Sequence, residues 1–391
     1  MIGRIIFCCL LFSLQASGQE SNLIKQLRLV QNYLDSTAKA KVDPVYIEVP
    51  DKPWRVILRY KENAVNVNYD QSLSDPVNNQ RLEWNMIFQP PMASSVGFWI
   101  GYRGTGVSYS VPINKNAGRY FSVSSTGAKY GFNFRLRRFD TSETTYNYKY
   151  YNNDELVKEE DLTGHTYAPV WVRSVYLNGY YVFNGRRYSQ AAAYNQSVIQ
   201  RHSAGSFLLG ATLYQSSFDF SDSENSIMIL YSNNTGRLKL QQANIGIGYG
   251  YNWVPFRGFV LNAMAMPAIS VYNHVKATKF DCNYTLFGEA KTTDNYGQWN
   301  PETHKWANGE THKPLAEGEN WENQIESWES GYETDYSALR LSYDLRAGIC
   351  YNWKDYFIGA QAQLNGFYYK ESESLVYIGD GFVQLSLGIR L

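Results

Sequence analysis

Arginine side chains lie at alternate positions in several segments of this chain. Because the side chains of a strand point alternately to its two faces, such spacing gathers the cations on one face of a sheet. A narrow passage lined by that face would bind anions or select them from cations. The same residues also fit a filled interior, in which the arginines pair with loop carboxylates and backbone carbonyl oxygens. The residues that parity assigns to the interior face are Arg55, Arg59, Lys61, Arg135, Arg137, Arg340, Asp344, Arg346 and Arg390.

A second group of residues suited to binding lies in the segment 288–336, which holds eleven acidic residues and three lysines. Its tryptophans are Trp299, Trp306, Trp321 and Trp328. Tryptophan faces beside carboxylates suit stacking against sugar rings or capture of cations. His304 and His312 are too loosely spaced to define a metal site, so we expect no metal and no cofactor. A solvated loop whose aromatic side chains pack on one another explains the same composition.

Hydrolytic chemistry would require a nucleophile beside a base. His202 and Ser203 are the adjacent pair that suggests it, as in a barrel-embedded lipid hydrolase. Neighbouring residues of a strand point to opposite faces, so these two side chains cannot form a hydrogen-bonded dyad within a strand. We therefore expect no catalytic residues, and a protein that is not an enzyme.

Strands must position these residues, and the clearest strand is the last segment of the chain, 382–391. Its odd positions are apolar, and its even positions from 384 onward are Gln384, Ser386, Gly388 and Arg390. The alternation continues to the end of the chain, and similar segments with aromatic residues near their ends occupy most of the preceding sequence. This combination predicts an all-β protein, a transmembrane antiparallel β-barrel with its apolar face toward lipid.

We predict about twelve strands, an even number as expected for a single-chain bacterial barrel. The connections sort into short ones on the periplasmic side and long ones outside, except that Asn184–His202 is long where the others are short. The segment 82–90 precedes Pro90 and Pro91 and is assigned to an outer hairpin. The predicted strands are 54–69, 94–102, 105–113, 129–139, 144–152, 170–183, 203–218, 239–253, 257–273, 337–353, 356–370 and 379–391.

The exceptional connection is too polar to lie in lipid. It either folds into the lumen as a constriction or extends the two neighbouring strands as a hairpin below the membrane, and the sequence leaves both arrangements open. The residues expected to form the constriction are Asn184, Arg186, Arg187, Ser189 and Gln196.

Residues 1–18 have the basic, apolar and small-residue layout of a secretory signal peptide. Residues 19–50 are expected to form a periplasmic arm with a short amphipathic helix, and residues 51–391 the barrel, with a long extracellular loop at about 274–336. Beyond the signal peptide, Cys282 and Cys350 are too few for a disulfide framework. Equal numbers of basic and acidic residues, 36 of each, give no basis for a nucleic-acid partner.

Several motifs resemble an uncharacterised family of outer-membrane barrels from Bacteroidetes-type bacteria, catalogued as domain of unknown function 4421. The resemblance covers roughly residues 43–391 and implies fold and location but no activity. The motifs that carry it are Tyr46-Ile47-Glu48, Tyr181 to Ser197, Gln200 to Ser206, Gly248 to Trp253, and Tyr351-Asn352-Trp353 followed by Tyr356 to Ala360.

From these observations we expect a protein of the Gram-negative outer membrane. It is a narrow channel or a structural barrel with an arginine-lined lumen, and a surface receptor or adhesin that uses the segment 288–336 is the alternative. Its expected partners are outer-membrane lipid and the barrel assembly machinery, with small anions or glycans as candidate ligands.

Overall fold

The computed structural model describes residues 28–29, 31–36, 38, 41–75, 79–88, 92–114, 119–126, 129–222, 225, 229, 232, 234–286, 289–292, 299–300, 305–306, 327–337, 339–371 and 374–391. The signal peptide and most of the amphipathic segment before residue 31 therefore lie outside the described residues. Within the described part of the chain, none of the helices has the length and apolar character needed to cross a membrane.

The described residues are almost entirely in strands, as the alternating sequence predicts. One short helix, α1, interrupts them, and residues 31–36 are also helical. In chain order the elements are β1 (Ile47–Glu48), β2 (Trp54–Asp75), β3 (Gln80–Phe88), β4 (Ala93–Tyr102), β5 (Thr105–Pro112), β6 (Arg119–Thr126), β7 (Tyr130–Asn152), β8 (Glu155–Val182), α1 (Gln190–Tyr194), β9 (Ile199–Gln200), β10 (Ala204–Asp219), β11 (Thr235–Trp253), β12 (Phe259–Leu286), β13 (Glu289–Thr292), β14 (Trp299–Asn300), β15 (Lys305–Trp306), β16 (Ser327–Ser337), β17 (Leu341–Trp353), β18 (Tyr356–Glu371) and β19 (Ser374–Arg390).

Twelve of the described strands close into an antiparallel ring, which confirms the predicted all-β barrel. The last strand pairs with the first strand of the ring, with Arg390 opposite Arg55 and Ser374 opposite Gln71. The order around the ring is β2, β4, β5, β6, β7, β8, β10, β11, β12, β17, β18 and β19.

The predicted number of strands is right, but two of the individual strand assignments are wrong. Segments 129–139 and 144–152 are one strand, β7, because the ladder to β8 continues past Asp140 and Thr141 with only a register shift before Glu143. The polar residues 140–143 therefore do not form a turn. The twelfth strand is instead β6, whose serine-rich sequence alternates only weakly and therefore does not predict a strand.

Side chains divide between the two surfaces of the ring as parity predicts. On β19, Val383, Leu385 and Leu387 are exposed outward, whereas Gln384 and Ser386 are buried inside. On β11 the outward residues form an apolar run from Ile245 through Tyr251 to Trp253. Cys350 points inward and is a buried free thiol.

Several strands are far longer than a membrane requires. β8 and β12 each have 28 residues, whereas about 9–11 tilted residues span a bilayer. Beyond the ends of the short strands β4 to β6, β3 lies between β2 and β7 and pairs with both of them. Beyond its pairing with β17, β12 continues in the same register and pairs with β16, past a break between β16 and β17 at which Leu339 has a positive φ. The barrel therefore continues as β-structure well past one end of its apolar band.

The arm before β2 packs on the opposite end of the barrel. Leu34 is buried against Tyr102, and Asp35 accepts hydrogen bonds from the Tyr102 hydroxyl at 2.7 Å and from Arg103 Nε at 2.6 Å. Farther along the arm, β1 pairs with β9, with Ile47 opposite Gln200.

Candidate functional site: the barrel lumen

The connection between β8 and β10, Asn184–His202, folds into the lumen, and we call it the inserted segment. Its helix α1 presents Gln190, Ala191, Ala192 and Ala193, all buried. Small residues on both sides permit close approach: a Cβ placed on Gly348 of the wall would lie 3.4 Å from the Cβ of Ala193.

Amide side chains of the wall bind the inserted segment. Asn262 donates to the Tyr188 hydroxyl at 3.1 Å and accepts a hydrogen bond from the Tyr194 hydroxyl. Asn252 donates to the backbone oxygen of Ser189 at 2.9 Å and to Gln200 Oε1 at 3.0 Å. These hydrogen bonds pair several buried polar groups of the inserted segment, whereas the side-chain amide of Gln190 is buried without a hydrogen-bond partner among the described residues.

Two of the interior arginines predicted from the sequence bind the backbone of the inserted segment. Arg55 Nη1 donates to the carbonyl oxygen of Asn195, and Arg390 Nη2 donates to that of Gln196 at 3.2 Å. Trp99, which is fully buried, lies against Arg55 with the guanidinium carbon 4.8 Å from its ring. These two arginines therefore bind the peptide backbone of the inserted segment. In an open passage their guanidinium groups would face water instead.

Three further interior arginines pair with carboxylates deeper in the lumen. Arg346 Nε lies 3.0 Å from Asp344. Arg135 and Arg137 lie 3.8 and 3.6 Å from the carboxylate of Asp380. Asp380 was not among the predicted interior residues. It has the same parity as Gln384 on β19, and extending that pattern by two steps would have identified it.

A polar cavity of about 90 Å³ lies between the inserted segment and these ion pairs. Lys61 donates to the Tyr120 hydroxyl at 2.7 Å, and Arg59 Nε is buried without a hydrogen-bond partner among the described residues. The cavity is large enough for a few water molecules. Its lining includes Arg59, Lys61, Tyr120, Gln190, Tyr194, Arg346, Gln363 and Gln384.

Toward the other end, the lumen is filled by an apolar core. Tyr214 and Phe367 stack there with ring centroids 4.0 Å apart. Phe220 and Ile229, from the connection between β10 and β11, pack into the same core. Side chains from nine strands contribute to it: Val65, Val67, Tyr69, Trp84, Met86, Phe88, Phe139, Val170, Val172, Tyr176, Tyr214, Phe218, Leu238, Leu240, Val275, Ala277, Phe280, Phe367, Tyr369, Val376 and Ile378.

Three of the other predicted site residues face the arm, the mouth or β10 instead of the lumen. Arg187 faces the arm, 3.5 Å from Asp43, and Arg186 is exposed at the mouth. Asn184 joins the inserted segment to β10 through a hydrogen bond to Gly205 at 2.9 Å. Arg340 is half-buried between β16 and β17, and its Nε atom is buried.

The tryptophan-rich segment is described only in its short strands. Trp299 and Trp306 pair in β14 and β15, and Trp328 belongs to β16. Trp321, His304 and His312 lie outside the described residues. His202 packs edge-on against Tyr46 at 5.8 Å, while the Ser203 hydroxyl accepts a hydrogen bond from the Val254 amide at 2.9 Å. The two side chains thus have separate partners.

Solved structures that resemble this one include the outer membrane protease OmpT from Escherichia coli, at 8% identity and a TM-score of 0.41 over 88% of this chain and 97% of that chain. The translocator domain of the autotransporter NalP from Neisseria meningitidis is 6% identical, with a TM-score of 0.30 over 94% and 96% of the two chains. The Pseudomonas putida toluene transporter TodX is also 6% identical, with a TM-score of 0.24 over 88% and 91%. These TM-scores are all below 0.5. The closed ring is therefore established by the strand pairings and not by these similarities.

A search of curated proteins finds no match. Among protein families, the chain matches the one described as Domain of unknown function (DUF4421) over residues 41–390. That range includes the inserted segment, every strand of the ring and the arm from Lys41 onward. The chain belongs to the DUF4421 family.

Proposed function

We propose that this protein is an outer-membrane β-barrel with a sealed lumen, which acts as a rigid, non-enzymatic membrane anchor for the β-structure that continues beyond the membrane. The outward apolar band and the closed ring support the membrane location. A closed ring leaves no unpaired strand edge in lipid, which is the condition for spanning a bilayer with strands.

The observation that carries the proposal is that the lumen is filled from both ends. The inserted segment occupies the end beside the arm, and the apolar core occupies the other. Conduction requires a continuous wet path, and an apolar core packed at protein density excludes water and ions. The inserted segment and the apolar core thus form two barriers in series, and removal of one leaves the other in place.

The interior arginines support sealing over anion conduction. Arg55 and Arg390 donate to backbone oxygens of the inserted segment, and Arg135, Arg137 and Arg346 face Asp380 or Asp344. A buried cation needs such partners to offset its desolvation. Arginines that served conduction would instead face a continuous water column.

Conductance in planar bilayers tests the proposal. We expect no ion current from the wild-type protein and none from a variant in which Gly185–Gln200 is replaced by a short Gly-Ser turn, because the apolar core remains. An open porin in the same bilayer provides the positive control. A steady current from the wild-type protein would overturn the sealed barrel, and fractionation combined with heat-modifiable gel mobility separately tests the membrane location.

A surface receptor is the second candidate, because the strands that flank the tryptophan-rich segment project beyond the barrel. β12 and β16 pair from Asn273 opposite Ser337 to Cys282 opposite Ser327, which extends the β-structure past the pairing of β12 with β17. Glycan-array binding by the wild-type protein, lost on Trp299→Ala with Trp306→Ala, would support it. Unchanged binding in that double variant would remove these tryptophans from the receptor surface.

A further inference from the structure

A row of basic residues crosses the outer surface of the barrel, and we call it the basic row. Arg138 on β7 is directly opposite Arg173 on β8. Arg173 is opposite Ser217 on β10, and Ser217 is opposite Lys239 on β11. Lys239 is in turn opposite Lys276 on β12. Five adjacent strands therefore present four cations and one hydroxyl along a single line.

This arrangement is unfavourable in isolation. Side chains of directly opposite residues have Cβ atoms about 4.5–5.5 Å apart, and like charges at such positions repel. In the described part of the chain, the four cations have no carboxylate within ion-pairing distance. The nearby carboxylate of Asp219 is already bonded to Arg237 at 3.4 Å. A bound anion would remove the repulsion.

The basic row lies just past the apolar band. On β7 the outward residue next to Arg138 is Leu136, and on β8 the outward residue next to Arg173 is Val175. Leu136 and Val175 are both exposed apolar side chains. On β11 the band runs from Trp253 to Ala243, which is about 25 Å along the barrel axis at the usual rise and tilt of barrel strands. The basic row is therefore at the level where lipid headgroups begin, on the side of the projecting strands.

Two grooves meet at the basic row. An open groove of about 380 Å³ is lined by all four cations, with Trp171 and Ser217 beside them. An adjoining groove of about 560 Å³ shares Arg138 and Arg173 but is lined by the apolar side chains Leu136 and Val175, and by rings of β5 and β6. A ligand that fills both must carry negative charge at one end and hydrocarbon at the other.

We propose that the basic row binds the phosphate groups of a phosphorylated, acylated glycolipid of the outer leaflet, whose acyl chains lie along the apolar groove. This inference rests on the proposed membrane location, although lipid binding in detergent can be measured without it. Guanidinium groups suit the row because their planar donors bind phosphate oxygens in pairs. A free phosphate would satisfy the charges but would leave the adjoining apolar groove unoccupied.

Native mass spectrometry of the full-length mature protein in detergent tests the proposal, with lipid A and the same lipid stripped of its phosphates as probes. We expect the phosphorylated form to bind about tenfold more tightly or better, since each basic residue at a membrane surface contributes to the attraction of anionic lipid. The double variant Arg138→Gln with Arg173→Gln should lose that preference. The matched control is Arg186→Gln with Arg257→Gln, which removes two exposed arginines at the opposite end of the barrel and should keep it.

Equal binding of the two lipids by the wild-type protein would overturn the proposal, and so would equal losses in the two double variants. Inorganic phosphate that binds as tightly as the lipid would overturn the lipid assignment. If the Arg138 and Arg173 variant fails to show a folded, heat-modifiable band, the wild-type comparison of the two lipids still decides. A protein that conducts ions yet prefers the phosphorylated lipid would refute the sealed barrel and leave this inference standing.

Discussion

Arg390, on the strand that closes the barrel, donates a hydrogen bond from Nη2 to the carbonyl oxygen of Gln196 in the inserted segment, at 3.2 Å. Arg55, its cross-strand partner on β2, donates to the neighbouring carbonyl of Asn195. The two strands that complete the ring therefore also hold its plug. Ring closure and plug docking are structurally coupled at this pair of arginines.

The variant Arg55→Gln with Arg390→Gln should loosen the inserted segment without opening the ring. Each hydrogen bond to a charged group contributes about 1.5–3 kcal/mol, so the population with the segment displaced should rise at least tenfold. Thiol labelling of Ala192→Cys, with Cys282 and Cys350 replaced by Ser, measures that population. The control is Arg186→Gln, whose side chain is exposed. Labelling that is equally slow in both variants would contradict the coupling.

Asp380 should contribute more to stability than an exposed carboxylate. Asp380→Asn leaves Arg135 and Arg137 buried without their shared partner, and breaking a buried ion pair costs about 3–5 kcal/mol. Asp355→Asn, which breaks the exposed pair with Lys52, should cost at most about 1 kcal/mol. Urea unfolding monitored by tryptophan fluorescence compares the two, and equal losses would mean that the buried pairs contribute little.

The sequence predicted the ring well because the strands follow from side-chain parity. Parity also carries a signal about the filling of the lumen. The inward face of β2 carries Arg55 and Lys61 in one half, and then Val65, Val67 and Tyr69 in the other. A water-filled lumen would remain polar along its whole length, so this change of character already indicated that the far half is packed.

Other features could not be read from local sequence. The fate of the inserted segment depends on hydrogen bonds to residues far away in the chain, such as those from Asn252 and Asn262. The tetrapeptide 140–143 has the composition of a turn, yet β8 supplies a partner for it and keeps it extended. In both cases a distant strand determines the conformation, and one sequence without its partners does not specify which strand that will be.

Glycine at position 250 is required by the close approach of Tyr188. A Cβ placed on Gly250 would lie 2.2 Å from the Tyr188 hydroxyl, whereas one on Gly179 would meet open space. Overpacking of this kind costs about 1–3 kcal/mol, so Gly250→Ala should increase labelling of Ala192→Cys and lower the unfolding midpoint. Gly179→Ala should change neither. Equal behaviour of the two variants would show that Tyr188 moves aside without loss of docking.

The two barriers in the lumen predict a non-additive effect on conductance. Replacing Gly185–Gln200 by a Gly-Ser turn removes one barrier, and Tyr214→Ala with Phe367→Ala removes the stacked pair at the centre of the other. Each change alone should give no current, because the remaining barrier still excludes water. The combined variant should conduct. Because loss of the two core aromatic side chains costs about 3–5 kcal/mol of stability each, the comparison uses only protein that shows the folded, heat-modifiable band. A current from the Tyr214 and Phe367 variant alone would show that the inserted segment does not seal its end, because that end would then already admit ions.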